Sequence, residues 1–286
     1  MSNETSIKRR TSKSFQKMKE AGEKITMLTA YDFATAKYVD EAGIDSILVG
    51  DSLGMTMLGY DDTVNVTMND MLVFTSAVSR GVKRALLIAD MPFLSFQIST
   101  EQTLMNAGKL IQAGANAVKI EGGSDFIISQ IKALTQAGIS VTGHLGFTPQ
   151  YINTIGGYYV QGKSYENTIK MLEIAKKLED AGVFAIVLEM VSEESAKYIS
   201  ENLTIPTIGI GAGRYCDGQV LVIDDVLGRF YGNTPKFSKQ YVNIKEIIKN
   251  AISQYGNEVK NIIFPSEEHI FKLPKEEKEK LDNTLK

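Results

Sequence analysis

Ser46-Ile47-Leu48-Val49-Gly50-Asp51-Ser52 sets a short, unbroken apolar run against a glycine, an acid and a serine. A strand that is apolar on both faces has to be covered on both faces, the position of a strand in a parallel sheet beneath helices. The pattern recurs in Ile88-Ala89-Asp90, in Val118-Lys119-Ile120-Glu121 and in Val187-Leu188-Glu189, each ending on an ionisable residue. Amphipathic stretches lie between these runs. Four of them close on Glu41-Ala42-Gly43, Gln112-Ala113-Gly114, Gln136-Ala137-Gly138 and Asp180-Ala181-Gly182, which place a glycine where a left-handed helix cap is needed, just ahead of the next strand.

The same pattern along the chain predicts eight strands, over 25–32, 46–52, 85–93, 117–122, 140–146, 185–191, 207–213 and 219–227. Helices are expected between them at 33–41, 69–79, 100–112, 124–136, 165–179 and 193–201. This is an α/β chain, and eight βα units with polar residues at nearly every strand end predict a (β/α)8 TIM barrel rather than an open doubly wound sheet. The expected division is an N-terminal arm or helix over 1–24, the barrel over 25–264, and a C-terminal tail over 265–286. The barrel segment includes an extra C-terminal helical stretch, 237–255, packed outside it. The stretch 276–286 is so rich in charge that it is expected to fray.

Lys and Arg total 31 against 34 Asp and Glu, a balance that offers no broad basic surface to nucleic acid and favours small-molecule partners. Cys216 is the only cysteine, which excludes an intramolecular disulfide and a cysteine-based zinc cluster. The first twenty residues carry Lys8, Arg9, Arg10, Lys13, Lys17 and Lys19 without an apolar stretch, and no run is long and apolar enough for a membrane span. No membrane partner and a cytoplasmic location are expected.

In barrel enzymes the loops after the strands converge over the core, so chemistry sits at the C-terminal strand ends. Asp51, Asp90, Lys119 with Glu121, His144 and Glu189 occupy those ends on five consecutive strands. A charge at a buried strand end is costly to desolvate unless it is paired or holds a metal. Asp51, Asp90 and Glu121 supply hard oxygens of the kind Mg2+ takes. Lys119 and Glu121 are two apart and share a strand face, which sets an ammonium beside that site to grip an anion; an internal charge-balancing partner is the other reading of Lys119. His144 reads equally as a residue orienting a carboxylate or substrate oxygen and as a structural histidine.

Two long loops, 53–66 and 147–164, follow the Asp51 and His144 strands and suit either lids or ordinary packing; aromatic residues of the second, Tyr158 and Tyr159, could stack on a flat ring. Gly209-Ile210-Gly211-Ala212-Gly213 has the glycines of a phosphate loop but neither the spacing nor a following helix, so close backbone packing is the favoured reading.

The chain resembles the ketopantoate hydroxymethyltransferases. The resemblance rests on Thr29-Ala30-Tyr31-Asp32, Gly50-Asp51-Ser52-Leu53-Gly54-Met55, Ala89-Asp90-Met91-Pro92-Phe93 and Lys119-Ile120-Glu121-Gly122-Gly123. It continues through Gly143-His144-Leu145-Gly146-Phe147-Thr148-Pro149-Gln150, Val160-Gln161-Gly162, Leu188-Glu189, Ile208-Gly209-Ile210-Gly211-Ala212-Gly213 and Phe264-Pro265-Ser266-Glu267-Glu268-His269. It implies transfer of a one-carbon unit from 5,10-methylenetetrahydrofolate to 3-methyl-2-oxobutanoate, giving 2-dehydropantoate and tetrahydrofolate on the way to pantothenate. It implies Mg2+ on Asp51, Asp90 and Glu121, 2-oxoacid contacts from Asp51, Ser52, Asp90 and Lys119, and Glu189 as the proton acceptor. It also implies a homo-oligomer, a decamer in the family. The chain departs from the pattern by running past His269 into Phe271-Lys272-Leu273-Pro274 and a charged tail.

Two other readings compete. A Mg2+-dependent lyase of the phosphoenolpyruvate mutase and isocitrate lyase type also uses strand-end acids, but is expected to offer an acid or thiol near a flexible loop, and Cys216 lies outside the acidic group. A catalytically silent barrel is compatible with the fold alone, but would be expected to have lost at least one of the site acids.

Overall fold

The computed structural model describes residues 9–229, 232 and 235–284; the first eight residues of the expected arm and the last two of the tail lie outside them. Eight parallel strands, β1 (Ile25–Thr29), β2 (Ser46–Val49), β3 (Leu86–Asp90), β4 (Ala117–Glu121), β5 (Ser140–Gly146), β6 (Ala185–Glu189), β7 (Thr207–Ile210) and β8 (Gly218–Leu221), pair in chain order and β8 returns to β1. The expected TIM barrel is the observed fold. Its helices start where the sequence offers an oxygen: Asp32, Thr67, Ser99, Ser124 and Ser164 each accept from the backbone N–H three residues on. They end as read, with Gly43, Gly114, Gly138 and Gly182 all at positive φ.

The barrel floor is apolar. Met27, Leu48, Ile88, Val187, Ile208 and Val220 pack together, and the helix Ser12–Glu20 closes the N-terminal end with Phe15 and Met18. Phe15 meets Phe184 edge-on at 5.7 Å. Strand register sets the next layer, placing Asp90 beside Lys119 across β3 and β4, and Glu121 beside His144 across β4 and β5.

Several strands end two or three residues earlier than expected, and three segments differ more. The eighth strand was expected over 219–227 but stops at Leu221, and Ile223–Leu227 is a short helix. Ile223 N–H donates to Thr29 Oγ1 at 2.9 Å, a contact from a distant segment that apolar composition does not announce. The helix expected over 237–255 runs Ile244–Lys260. The tail expected to fray contains the helix Lys275–Thr284, whose Lys278–Asp282 and Lys280–Glu277 pairs sit at helical spacing.

The chain forms two compact units. The barrel unit runs to Val226 and includes 230–239; the second comprises 227–229 and 240–286. Within the second, Tyr255 and Phe264 meet at 5.7 Å and Phe264 and His269 at 5.1 Å.

Candidate active site

Asp90, Glu121 and Glu189 are the last residues of β3, β4 and β6, Lys119 and His144 lie within β4 and β5, and Asp51 and Ser52 follow β2. All seven line one cavity of about 1100 Å3 at the C-terminal end of the barrel. The strand-end selection from sequence therefore converges in space.

Gly50 makes the approach of β2 to β3 possible. A Cβ there would stand 2.8 Å from Ser52 Oγ, and without it Asp51 N–H donates to Asp90 Oδ2 at 3.0 Å. Lys119 Nζ then lies 3.2 Å from Asp90 Oδ1 and 3.8 Å from Glu121 Oε1. His144 Nδ1 is 3.1 Å from Lys119 Nζ and 3.3 Å from Glu121 Oε1, while its Nε2 faces Glu189 Oε2 at 3.4 Å. Charge contacts thus run from Asp90 to Glu189, and the Asp51 N–H joins them through its hydrogen bond to Asp90. Asp51, Asp90, Lys119, Glu121 and His144 are buried, whereas the Glu189 side chain keeps 17% of its surface exposed.

This crowding governs protonation. Burial, with Asp90 and Glu121 alongside, holds the Asp51 carboxyl well above the usual carboxylate range. Burial also raises Asp90, against the pull of Lys119. Glu121 goes the other way: burial opposes its charge, but His144, Lys119 and the Gln150 N–H outweigh it. Burial and Lys119 push His144 down, yet Glu121 and Glu189 carry it up to about 8. Lys119 is raised despite burial by Asp90, Glu121 and Asp51, so it remains an ammonium.

Among the described residues no three His, Cys, Asp or Glu side chains gather closely enough to hold an ion by themselves. Asp90 Oδ1 and Glu121 Oε1 are nonetheless buried without hydrogen-bond partners. Each faces a basic side chain, Lys119 Nζ at 3.2 Å and His144 Nδ1 at 3.3 Å. Hard carboxylate oxygens lining one cavity are the ligand type that magnesium takes, with substrate oxygens and water filling its remaining positions.

The family model described as ketopantoate hydroxymethyltransferase matches residues 9–267. The chain belongs to the ketopantoate hydroxymethyltransferase family. A 3-methyl-2-oxobutanoate hydroxymethyltransferase of Thermoanaerobacter sp. (strain X514) is 56% identical over 263 residues, covering 92% of this chain and 96% of that one. One from Clostridium novyi (strain NT) is 54% identical over 268 residues, covering 93% and 97%. Among solved structures, phosphonopyruvate hydrolase in complex with oxalate and Mg++ superposes with a TM-score of 0.59 at 13% identity, over 96% of each chain. A 2,3-dimethylmalate lyase described as a PEP mutase/isocitrate lyase superfamily member does so at 0.56 and 15%, over 96% of this chain and 99% of that one. At such identity these two share the fold alone.

Two residues of this ketopantoate hydroxymethyltransferase-family site escaped selection by strand end. Gln150, three residues beyond Phe147 in the loop after β5, donates from Nε2 to Asp51 Oδ2 at 2.8 Å and to Met91 O at 2.9 Å. Its backbone N–H donates to Glu121 Oε2 at 3.0 Å, so one buried residue fastens two carboxylates. Tyr31, also buried, sits 2.8 Å from Ser52 Oγ through its hydroxyl. Both stood inside quoted motifs, but neither ends a strand nor carries a charge.

Both long loops line the cavity, with Met55, Thr56, Asp62 and Thr63 from the first and Pro149, Ile152, Tyr158 and Val160 from the second. Tyr158 packs on Phe147 with ring centres 4.9 Å apart. Met190, directly after Glu189, is held at φ 47°, a left-handed conformation that is costly for a non-glycine residue and is typical of functional turns. The Gly209–Gly213 stretch is close packing: a Cβ on Gly211 would press on the Phe237 ring at 2.7 Å, and one on Gly213 on Glu193 at 2.5 Å. Cys216 is buried and its thiol is pushed up by burial, which removes it as the reactive thiol of a lyase.

Proposed function

We propose that the chain transfers a hydroxymethyl group from 5,10-methylenetetrahydrofolate to 3-methyl-2-oxobutanoate, forming 2-dehydropantoate for pantothenate synthesis. The observation that carries this reading is the set of charge contacts from Asp90 to Glu189, with Asp51 bonded to Asp90, all lining one cavity in a chain of this family. Asp51, Asp90 and Glu121 would hold Mg2+, which supplies Lewis acidity at the keto and carboxylate oxygens of a 2-oxoacid. Lys119 and Ser52, with Asp51 and Asp90, grip the 2-oxoacid, the ammonium countering its carboxylate. Gln150 and Tyr31 keep Asp51, Glu121 and Ser52 aimed.

Glu189 is the base. It takes the C3 proton, and the electron pair of that C–H bond passes into the enolate. His144, 3.4 Å from Glu189 Oε2, orients that carboxylate. The enolate carbon bonds to the one-carbon unit. Overall the C3–H bond and both methylene C–N bonds break, while a C–C and a C–O bond form. Water supplies the hydroxyl oxygen. The C3 hydrogen and the two of water are accounted for by the new hydroxyl and the two folate nitrogens.

The same reading makes the protein a cytoplasmic homo-oligomer, with ten copies the number the family resemblance gives. No helix among the described residues is long and apolar enough to cross a membrane.

The test uses the whole protein with 3-methyl-2-oxobutanoate and Mg2+ in deuterated water, with and without methylenetetrahydrofolate. Deuterium entering C3 without folate, and dehydropantoate forming only with it, are the expected results. Cleavage of a 2-oxoacid that ignores the folate would establish the lyase reading instead, and no exchange at all would make the barrel a silent one.

A further inference from the structure

The cavity extends beyond what a five-carbon oxoacid requires. Its lining also includes Ile210, Gly211, Val222, Asp225 and Phe237, residues the 2-oxoacid chemistry leaves unused. Asp225 stands on the short helix Ile223–Leu227 directly after β8 and is only 9% exposed. Ser238 Oγ donates to its Oδ2 at 2.9 Å. Burial, with Ser238 pulling the other way and Asp224 nearby, pushes its carboxyl pKa up. Among the described residues Ser238 is the side-chain donor to this carboxylate, and it engages Oδ2.

Phe237 belongs to the same short segment as Ser238 and lays its ring against Gly211, close enough that a Cβ there would be 2.7 Å away. The end of β8 and the 235–239 segment therefore hold a carboxylate and an aromatic face together at one end of the cavity. Two other carboxylates line the cavity outside the charged chain, and both are less buried than Asp225. Asp62 Oδ1 accepts from Val64 N–H at 2.9 Å, and Glu193 pairs with Arg214 at 3.1 Å.

We infer that this end of the cavity seats the pterin ring of the folate, with Asp225 accepting from its 2-amino and N3–H groups and Phe237 covering its face. The inference rests on the folate-donor reading above. The chemistry is complementary. A pterin is flat, and its 2-amino-4-oxo edge presents two parallel N–H donors, the pattern that a carboxylate accepts from a guanidinium. The ring's faces suit aromatic and aliphatic lining such as Phe237 and Val222. Lys236, exposed at the rim, offers an ammonium to the glutamate end of the same molecule.

The experiment compares wild type and Asp225→Asn using tetrahydrofolate and an analogue lacking the 2-amino group, measuring binding by calorimetry and the steady-state constants for both substrates. In Asp225→Asn the KM for methylenetetrahydrofolate is expected to rise about tenfold or more, with the KM for the 2-oxoacid nearly unchanged. Wild type should lose a similar factor with the 2-desamino analogue, and Asp225→Asn should hardly distinguish the two folates. Folate binding indifferent to Asp225, or wild type binding both folates equally, overturns the subsite alone. Should the variant fold poorly, the analogue comparison on wild type decides. No tetrahydrofolate binding to a wild type that still exchanges the C3 proton defeats the donor reading, and the subsite with it.

Discussion

At the N-terminal end of the barrel, Asp45 lies 2.8 Å from Arg10 and accepts from Thr26 Oγ1 at 2.8 Å. Asp217 takes Lys19 at 3.1 Å and Thr207 N–H at 2.8 Å, and Asp40 accepts the N–H groups of Lys83, Arg84 and Ala85. At the opposite end, Asp51, Asp90 and Glu121 crowd around the single ammonium of Lys119, and Asp90 Oδ1 and Glu121 Oε1 lack hydrogen-bond partners. The residue types are the same. At the floor each carboxylate has donors of its own and ties neighbouring segments together. At the mouth the carboxylates are held against one another by a scaffold stabilised elsewhere, as a site built to receive a ligand requires. The difference separates charges that hold the fold from charges that the fold holds.

Three substitutions test that division. The largest effect is expected from Glu189→Gln, which should slow C3 deuterium exchange and hydroxymethyl transfer about 10^3-fold, roughly 4 kcal/mol, while leaving metal-dependent 2-oxoacid binding in place. Rapid exchange in that variant, followed by proton NMR, would take the base role away from Glu189. Next comes Asp40→Ala at the floor. It strands three backbone N–H groups and should cost about 3 kcal/mol in denaturant unfolding, with kcat at 25 °C unchanged. Should kcat fall while stability holds, the floor would have a part in catalysis and the comparison would break. The smallest effect, with the opposite sign, is expected for Asp51→Asn. Removing a desolvated charge repelled by Asp90 and Glu121 should stabilise the ligand-free protein by about 1 kcal/mol. The same change should weaken Mg2+-dependent 2-oxoacid binding about tenfold or more, and a titration showing unchanged affinity would count against Asp51 in the metal site.

Much of this was legible in the sequence because it is local. An apolar run such as Ile47-Leu48-Val49 needs cover on both faces wherever it sits, and Ala-Gly after a helix needs a left-handed cap whatever follows. Those rules fix the order of strands and helices, and with it which acids stand at strand ends. The boundary at Leu221 was not legible, since Val222 and Ile223 read as further strand and only the bond to Thr29 Oγ1 turns the chain into a helix. The charged tail is exposed as its composition implies, but it is helical over Lys275–Thr284 where fraying was expected. Its composition repels a core, but charge pairs at helical spacing need no core.

The sequence by itself determined the barrel, the set of strand-end acids and the family, because periodicity, capping and motif spacing are properties of neighbours along the chain. Which residues those acids meet depends on the three-dimensional fold. Gln150 reaches Asp51 across 99 positions, Tyr31 meets Ser52 across 21, and Asp225 shares a cavity wall with Phe237. Such contacts exist once eight strands have closed into a ring. Closure turns the strand ends toward one shared cavity whatever their separation in sequence, and no local pattern encodes which side chains then face each other.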